Sequence, residues 1–167
     1  MDPLLLLFFP ALMAFAAVSD MLTMTIPNRL SILLVAGFVA MAILTGMPLK
    51  TFGLHMAAGA LVLVVTFALF AMGWIGGGDA KLAAATGIWC GFAVLIEYLT
   101  IASIFGGFLT LGILYWRTIM LPEFVMKISW IARLHHHKTG IPYGMALAAA
   151  GLFVYPYTPI WTSVAIG

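Results

Sequence analysis

Two aspartates, Asp20 and Asp79, are the side chains of this sequence best suited to chemistry. Only five of the 167 residues are acidic, and a carboxylate in so apolar a chain needs solvation or a partner. Two neighbouring carboxyl groups do not both ionise readily, so they share one proton. The ionised group can then deprotonate water while the protonated group polarises a carbonyl. Such a pair could hydrolyse a peptide bond, or it could serve as a proton relay in transport.

The residues around Asp79 form a glycine-rich turn, because it follows Gly76, Gly77 and Gly78. Glycine permits positive φ angles and close approach of other backbone. Asp79 could cap the next helix, or present its carboxyl where a substrate backbone comes within reach, and the two roles are compatible. Lys81 is two residues further on and does not share a helix face with Asp79. We therefore expect it to extend towards lipid headgroups and to contribute at most to the field around the aspartates.

Asp20 is followed by a polar stretch that contains Pro27 and Asn28. Proline lacks a backbone donor and restricts the residue before it, so it should end or bend the path between two helices. The amide of Asn28 both donates and accepts hydrogen bonds. It could cap the second helix or orient a carboxyl group, and the sequence favours neither role.

The histidines and the single cysteine do not predict a metal site. Consecutive residues such as His135, His136 and His137 point in different directions on a helix, so a solvated basic surface near anionic lipid is the favoured interpretation. Cys90 has no partner cysteine, which excludes a disulfide and a cysteine-based zinc site. The basic residues are not clustered as nucleic-acid binding would require. We expect no metal, no cofactor and no nucleic-acid partner.

The elements that position the aspartates are predicted to be helices in lipid. Hydrophobic residues make up 65% of the chain and charged residues 7%, whereas soluble domains have about 25% charged residues. A span needs about 20 apolar residues, so the chain predicts an all-α polytopic protein with about six transmembrane helices. Residues 1–167 form one transmembrane domain in this prediction, without a separate soluble domain. The apolar N-terminal stretch lacks the basic start of a signal peptide and is interpreted as a retained first span.

The predicted spans follow the gaps between charged residues. The fourth and fifth spans lie between residues 80 and 117 and reverse between Trp89 and Glu97. The other spans cover residues 4–19, 30–45, 54–75 and 142–166, and residues 118–140 form the longest polar loop.

The basic residues predict the orientation. Six of the seven lie in the stretches 20–29, 76–81 and 117–140, which share one side, and only Lys50 lies on the other. The positive-inside rule then predicts an external N-terminus and places both aspartates near the cytoplasmic face.

Three motifs in chain order resemble those of the prepilin peptidases, the type IV prepilin leader peptidase family of bacterial membrane aspartyl proteases. They are Asp20 with Ile26-Pro27-Asn28, the stretch Gly76–Leu82, and Ile141–Gly144. The second resembles the Gly-x-Gly-Asp motif that holds the second catalytic aspartate of that family. The resemblance extends from about residue 10 to residue 150.

The resemblance implies that Asp20 and Asp79 are catalytic. It also implies that prepilin or pseudopilin precursors are cut at the cytoplasmic face of the bacterial inner membrane. The stretch Ile141–Gly144 is expected to be structural. Larger members carry a cysteine-rich zinc domain and N-methyltransferase activity; this chain has one cysteine, so peptidase activity without methylation is expected. The short form resembles the enzymes of tight-adherence (Flp-type) pili.

Three other functions remain open from the residues alone. Lipoprotein signal peptidase is another membrane aspartyl peptidase of this size, but its site faces outward, against the charge bias here. A proton-coupled transporter would use the same carboxyls, although few polar residues line the spans. A non-catalytic pilus-assembly subunit would tolerate asparagine at both positions.

Overall fold

The computed structural model describes residues 3–165 and is 82% helical, with no β-strand in that range. Short 3-10 turns at Pro3–Leu7 and Tyr155–Tyr157 accompany the α-helices. These are α1 (Phe8–Thr23), α2 (Asn28–Leu44), α3 (Leu49–Ala71), α4 (Gly77–Trp116), α5 (Glu123–Met126), α6 (Ser129–His135), α7 (Tyr143–Val154) and α8 (Pro159–Ala165).

The chain is a helical polytopic membrane protein. Within the described residues, Leu4–Thr23, α3 and α4 are long and apolar enough to cross a bilayer, and α2 is a shorter apolar helix. Large apolar side chains such as Val64 and Phe67 of α3 are exposed on the outer surface. In water such a surface would be a liability, whereas in lipid it is the expected exterior.

The longest helix, α4, is bent at Gly91, where φ is 58° and ψ is 178°. A side chain at Gly87 would lie 3.6 Å from Leu95, although eight residues of straight helix span about 12 Å. The chain therefore folds back at Gly91 into two arms, residues 77–90 and 92–116. The predicted reversal between Trp89 and Glu97 is confirmed, and a single bent helix supplies the fourth and fifth spans.

His55 of α3 stabilises this bend. Its ring is buried, and its Nδ1 lies 2.7 Å from the carbonyl oxygen of Ile88. In a continuous helix that carbonyl would accept from Phe92, which lies just past the break. A side chain at Gly91 would lie 2.7 Å from the His55 ring. Gly91 thus supplies both the left-handed backbone and the space for the histidine.

The first arm of α4 lies at the centre of the bundle, around Trp89. The Trp89 Nε1 donates to the carbonyl oxygen of Leu34 at 2.9 Å, which joins α4 to α2. Its ring packs with those of Phe9, Phe38 and Tyr155, with centroids 5.0 to 6.0 Å away. This aromatic cluster fixes α1, α2 and the 3-10 turn after α7 around one arm.

Several predicted boundaries differ from the observed ones. The first span ends at Thr23, so Asp20 lies inside α1 and not in a polar loop after it. The third span runs from Leu49 to Ala71, about five residues earlier than predicted. The last span consists of α7, a 3-10 turn and α8, and its predicted end at residue 166 is outside the described residues. The polar loop contains the short helices α5 and α6.

Candidate active site

Asp20 lies in the last turns of α1 and is 5% exposed. Its Oδ2 accepts a 2.8 Å hydrogen bond from the backbone N–H of Gly144, and the amide of Met145 also faces the carboxylate. Because α7 begins at Tyr143, both amides belong to its first turn, where N–H groups lack the usual partner four residues back; that of Met145 also donates to the carbonyl oxygen of Pro142 at 3.2 Å. The N-terminus of a helix favours negative charge. The start of α7 therefore offsets part of the cost of burying this carboxylate.

Asp79 lies in the first turn of α4, three residues after the N-cap Gly76. The suggestion that Asp79 itself caps this helix is therefore wrong. Its carboxylate faces back towards the amide of Gly76, as acidic residues at the third helical position commonly do. Asp79 is thus oriented by the turn that precedes it.

Both aspartates line one cavity of about 240 Å³ at the end of the bundle where α1 ends and α4 begins, here named the aspartate end. Gly76, Gly77 and Gly78 line it too, together with Met24, Thr25 and Ile26. The amide of Gly144 interacts with both carboxylates, and the charge of Asp20 acts on Asp79. Like charges so placed favour a pair that holds one proton.

The three glycines provide close approach and not unusual backbone angles. Within the described residues the glycines with positive φ are Gly46, Gly73 and Gly91. A side chain at Gly76 would lie 3.0 Å from Asp79 Oδ2, and one at Gly78 would lie 3.2 Å from Ile26. A side chain at Gly77 would lie 3.2 Å from Phe70. The absence of side chains therefore allows the turn to pack tightly beside the cavity.

Three further predicted site residues lie near the cavity but are not among the described residues that line it: Pro27, Asn28 and Lys81. Pro27 is the N-cap of α2 in extended backbone, and it separates the two helices as predicted. Asn28 is the first residue of α2, so the capping role is wrong; its Oδ1 accepts a 2.9 Å hydrogen bond from Lys81 Nζ. Lys81 therefore pairs with Asn28, where the sequence favoured extension towards headgroups.

Gly144 and Ile26 belong to the site, although the sequence predicts neither as a site residue. A side chain at Gly144 would lie 2.8 Å from Asp20 Oδ2 and 2.6 Å from Ile26 Cδ1. Ile26 is buried and fills the space between Gly144 and Gly78. The sequence signal for this contact is the stretch Pro142-Tyr143-Gly144 at the start of α7. Its expected role is structural, but the backbone N–H of Gly144 donates a hydrogen bond to Asp20.

His135 and His136 take part in local contacts of the loop. His135 Nε2 lies 2.9 Å from the carbonyl oxygen of Ile119, and its ring packs edge-on against Trp116. The Nδ1 of His136 accepts a 3.2 Å hydrogen bond from the backbone N–H of Lys138. In the part of the chain that the structure describes, no three potential metal ligands of the His, Cys, Asp or Glu type form a group.

A helical membrane bundle with two carboxyl groups in one small cavity fits the class of membrane proteases. The model of the type IV leader peptidase family matches residues 7–111 of this chain, which is more than half of its length, and the chain belongs to that family. No curated protein and no solved structure matches it. Membership indicates a membrane-embedded protease of the prepilin leader peptidase type, which in this family is aspartic. The match ends before Gly144.

Proposed function

We propose that this protein is a membrane aspartyl endopeptidase that removes the leader of prepilin-like precursors, with Asp20 and Asp79 as its catalytic pair. The observation that carries the proposal is the shared cavity, in which both carboxyl groups and the glycine turn meet. Asp20 and Asp79 both fall within the residues that match the leader peptidase family.

In the proposed mechanism Asp20 is the ionised partner, because the 2.8 Å hydrogen bond from the Gly144 amide goes to its Oδ2 and its charge acts on Asp79. Asp20 takes a proton from water as the water oxygen attacks the scissile carbonyl carbon. Asp79 gives its proton to the carbonyl oxygen, which forms a gem-diol. When the C–N bond breaks, Asp20 passes its proton to the leaving amine and Asp79 recovers one from a diol hydroxyl. Both carboxyl groups then return to their starting states.

The proposed substrate is a precursor with a short basic leader before a hydrophobic helix, as in Flp-type pilins. Its cleavage site would lie at the cytoplasmic face of the inner membrane. The excess of basic residues in the stretches at the aspartate end supports this orientation through the positive-inside rule. The side-chain-free surface of Gly76 to Gly78 would leave room for an extended substrate backbone beside Asp79.

The test is co-expression with a small pilin precursor from the same genome. Wild type should shorten the precursor, whereas Asp20→Asn and Asp79→Asn should not, while all three proteins insert equally. Glu97→Gln is the matched control, because Glu97 is exposed and does not line the cavity. Mass spectrometry of the product should find an unmethylated N-terminus. Cleavage by either aspartate variant at the wild-type rate would refute the proposed pair and favour a transport or assembly role.

A further inference from the structure

We propose that Arg117 is a positioning residue for this reaction, which holds the start of α7 so that the Gly144 amide stays on Asp20. The inference rests on the proposed function and adds a residue outside the catalytic pair and outside the matched segment. It concerns the cytoplasmic loop, residues 117–140, for which the sequence predicts only a polar connection.

Arg117 follows the last residue of α4 and is only 5% exposed. Its Nε donates to the carbonyl oxygen of Leu134 at 2.7 Å, and its Nη2 donates to those of Thr139 and Gly140 at 2.9 and 3.0 Å. A buried charge is unfavourable unless polar groups surround it. This guanidinium therefore joins the last turn of α6 to the end of the segment that leads into α7.

The loop carbonyls that Arg117 binds lie close to the site along the chain. Gly140, whose carbonyl Arg117 holds, is four residues before Gly144. Pro142 restricts the backbone of the connecting segment. The ring of Tyr143 packs against Gly106 on the second arm of α4. Because residues 140–144 form a short and constrained connection, holding Gly140 in place also fixes the position of the Gly144 amide.

A second arginine ties the same loop to the other side of the site. Arg133, on α6, donates from its Nη1 to the carbonyl oxygen of Leu22 at 2.7 Å. Leu22 lies two residues after Asp20 in the last turn of α1. The loop thus holds both α1, which carries the carboxylate, and α7, which carries the amide that binds it. Arg117 acts on the α7 side.

The experiment measures kcat and KM for precursor cleavage by purified full-length protein in detergent. The variants are Arg117→Gln, Arg117→Lys and the control Lys127→Met, which removes a charge from an exposed residue of the same loop. We expect Arg117→Gln to lower kcat about tenfold, equivalent to about 1.4 kcal/mol, with KM unchanged. Arg117→Lys should recover part of the rate, and Lys127→Met should match wild type. Thermal unfolding confirms that each variant is folded before its rate is read.

A double-mutant cycle with Gly144→Ala separates positioning from general support of the fold. If Arg117 acts through the Gly144 amide, the two substitutions together should lower kcat little more than Gly144→Ala alone. Multiplying effects, or a wild-type kcat in folded Arg117→Gln, would overturn the proposal. Asp20→Asn in the same assay keeps the two proposals distinct. If that variant cleaves, the catalytic pair fails; if it is inactive while Arg117→Gln is fully active, only the positioning role fails.

Discussion

Replacing Gly144 by alanine tests the contact on which the site depends. The new Cβ would lie 2.8 Å from Asp20 Oδ2 and 2.6 Å from Ile26 Cδ1. The end of the isoleucine side chain can rotate away, but the carboxylate oxygen is held by the amide of the same residue 144. Asp20 must therefore move and lengthen its 2.8 Å hydrogen bond.

The size of the effect follows from the kind of hydrogen bond that is weakened. Hydrogen bonds to charged groups contribute roughly 1.5–3 kcal/mol, and each 1.36 kcal/mol corresponds to tenfold in rate. We therefore expect kcat to fall about 10- to 150-fold. We expect KM to change little, since this hydrogen bond orients Asp20 for the chemical step.

The assay is single-turnover cleavage of a purified precursor by protein in proteoliposomes. Gly112→Ala is the matched control, because Gly112 lies on the second arm of α4 and its new Cβ would have no atom within 4 Å. We expect this control to cleave at close to the wild-type rate. Folded Gly144→Ala protein with an unchanged kcat would refute the idea that the α7 amide supports the reaction.

Three other outcomes are expected from the same structure. Gly106→Ala should lower kcat, because its Cβ would collide with the Tyr143 ring and displace the start of α7. The control Gly107→Ala should leave kcat unchanged, because no atom lies within 4 Å of its Cβ. Gly91→Ala should lower the unfolding temperature in detergent, because a positive φ with ψ near 180° is essentially restricted to glycine and costs another residue about 1–3 kcal/mol. The new Cβ would also meet the His55 ring, and an unchanged temperature would contradict this account of the bend. The rate of wild type should be bell-shaped in pH, with both limits set by the coupled aspartates, and a flat acid limb would contradict the shared proton.

The local features of the site were predictable, and the long-range ones were not. Charge and hydropathy predicted the helices, and the glycine turn predicted a special position for Asp79, because these signals lie within a few residues of one another. The hydrogen bond from Gly144 to Asp20 joins residues 124 positions apart, so nothing in either neighbourhood specifies it. Arg117 was counted only as a loop charge, because three backbone carbonyls carry no sequence signature. The bend at Gly91 could be predicted in part. The spacing of charged residues predicted a reversal in this region, but it did not predict the contact of His55 with the Ile88 carbonyl.

The two arginines of the loop bond main-chain carbonyls and not side chains. Every residue type supplies the same acceptor, so the acceptor side of these contacts does not depend on which side chains the loop carries. The exposed positions of the loop, such as Lys127 and Lys138, can therefore change in sequence while Arg117 and Arg133 keep their hydrogen-bond acceptors. A surface free to change beside a fixed site is what allows one scaffold to be retuned for different substrates by evolution or by design.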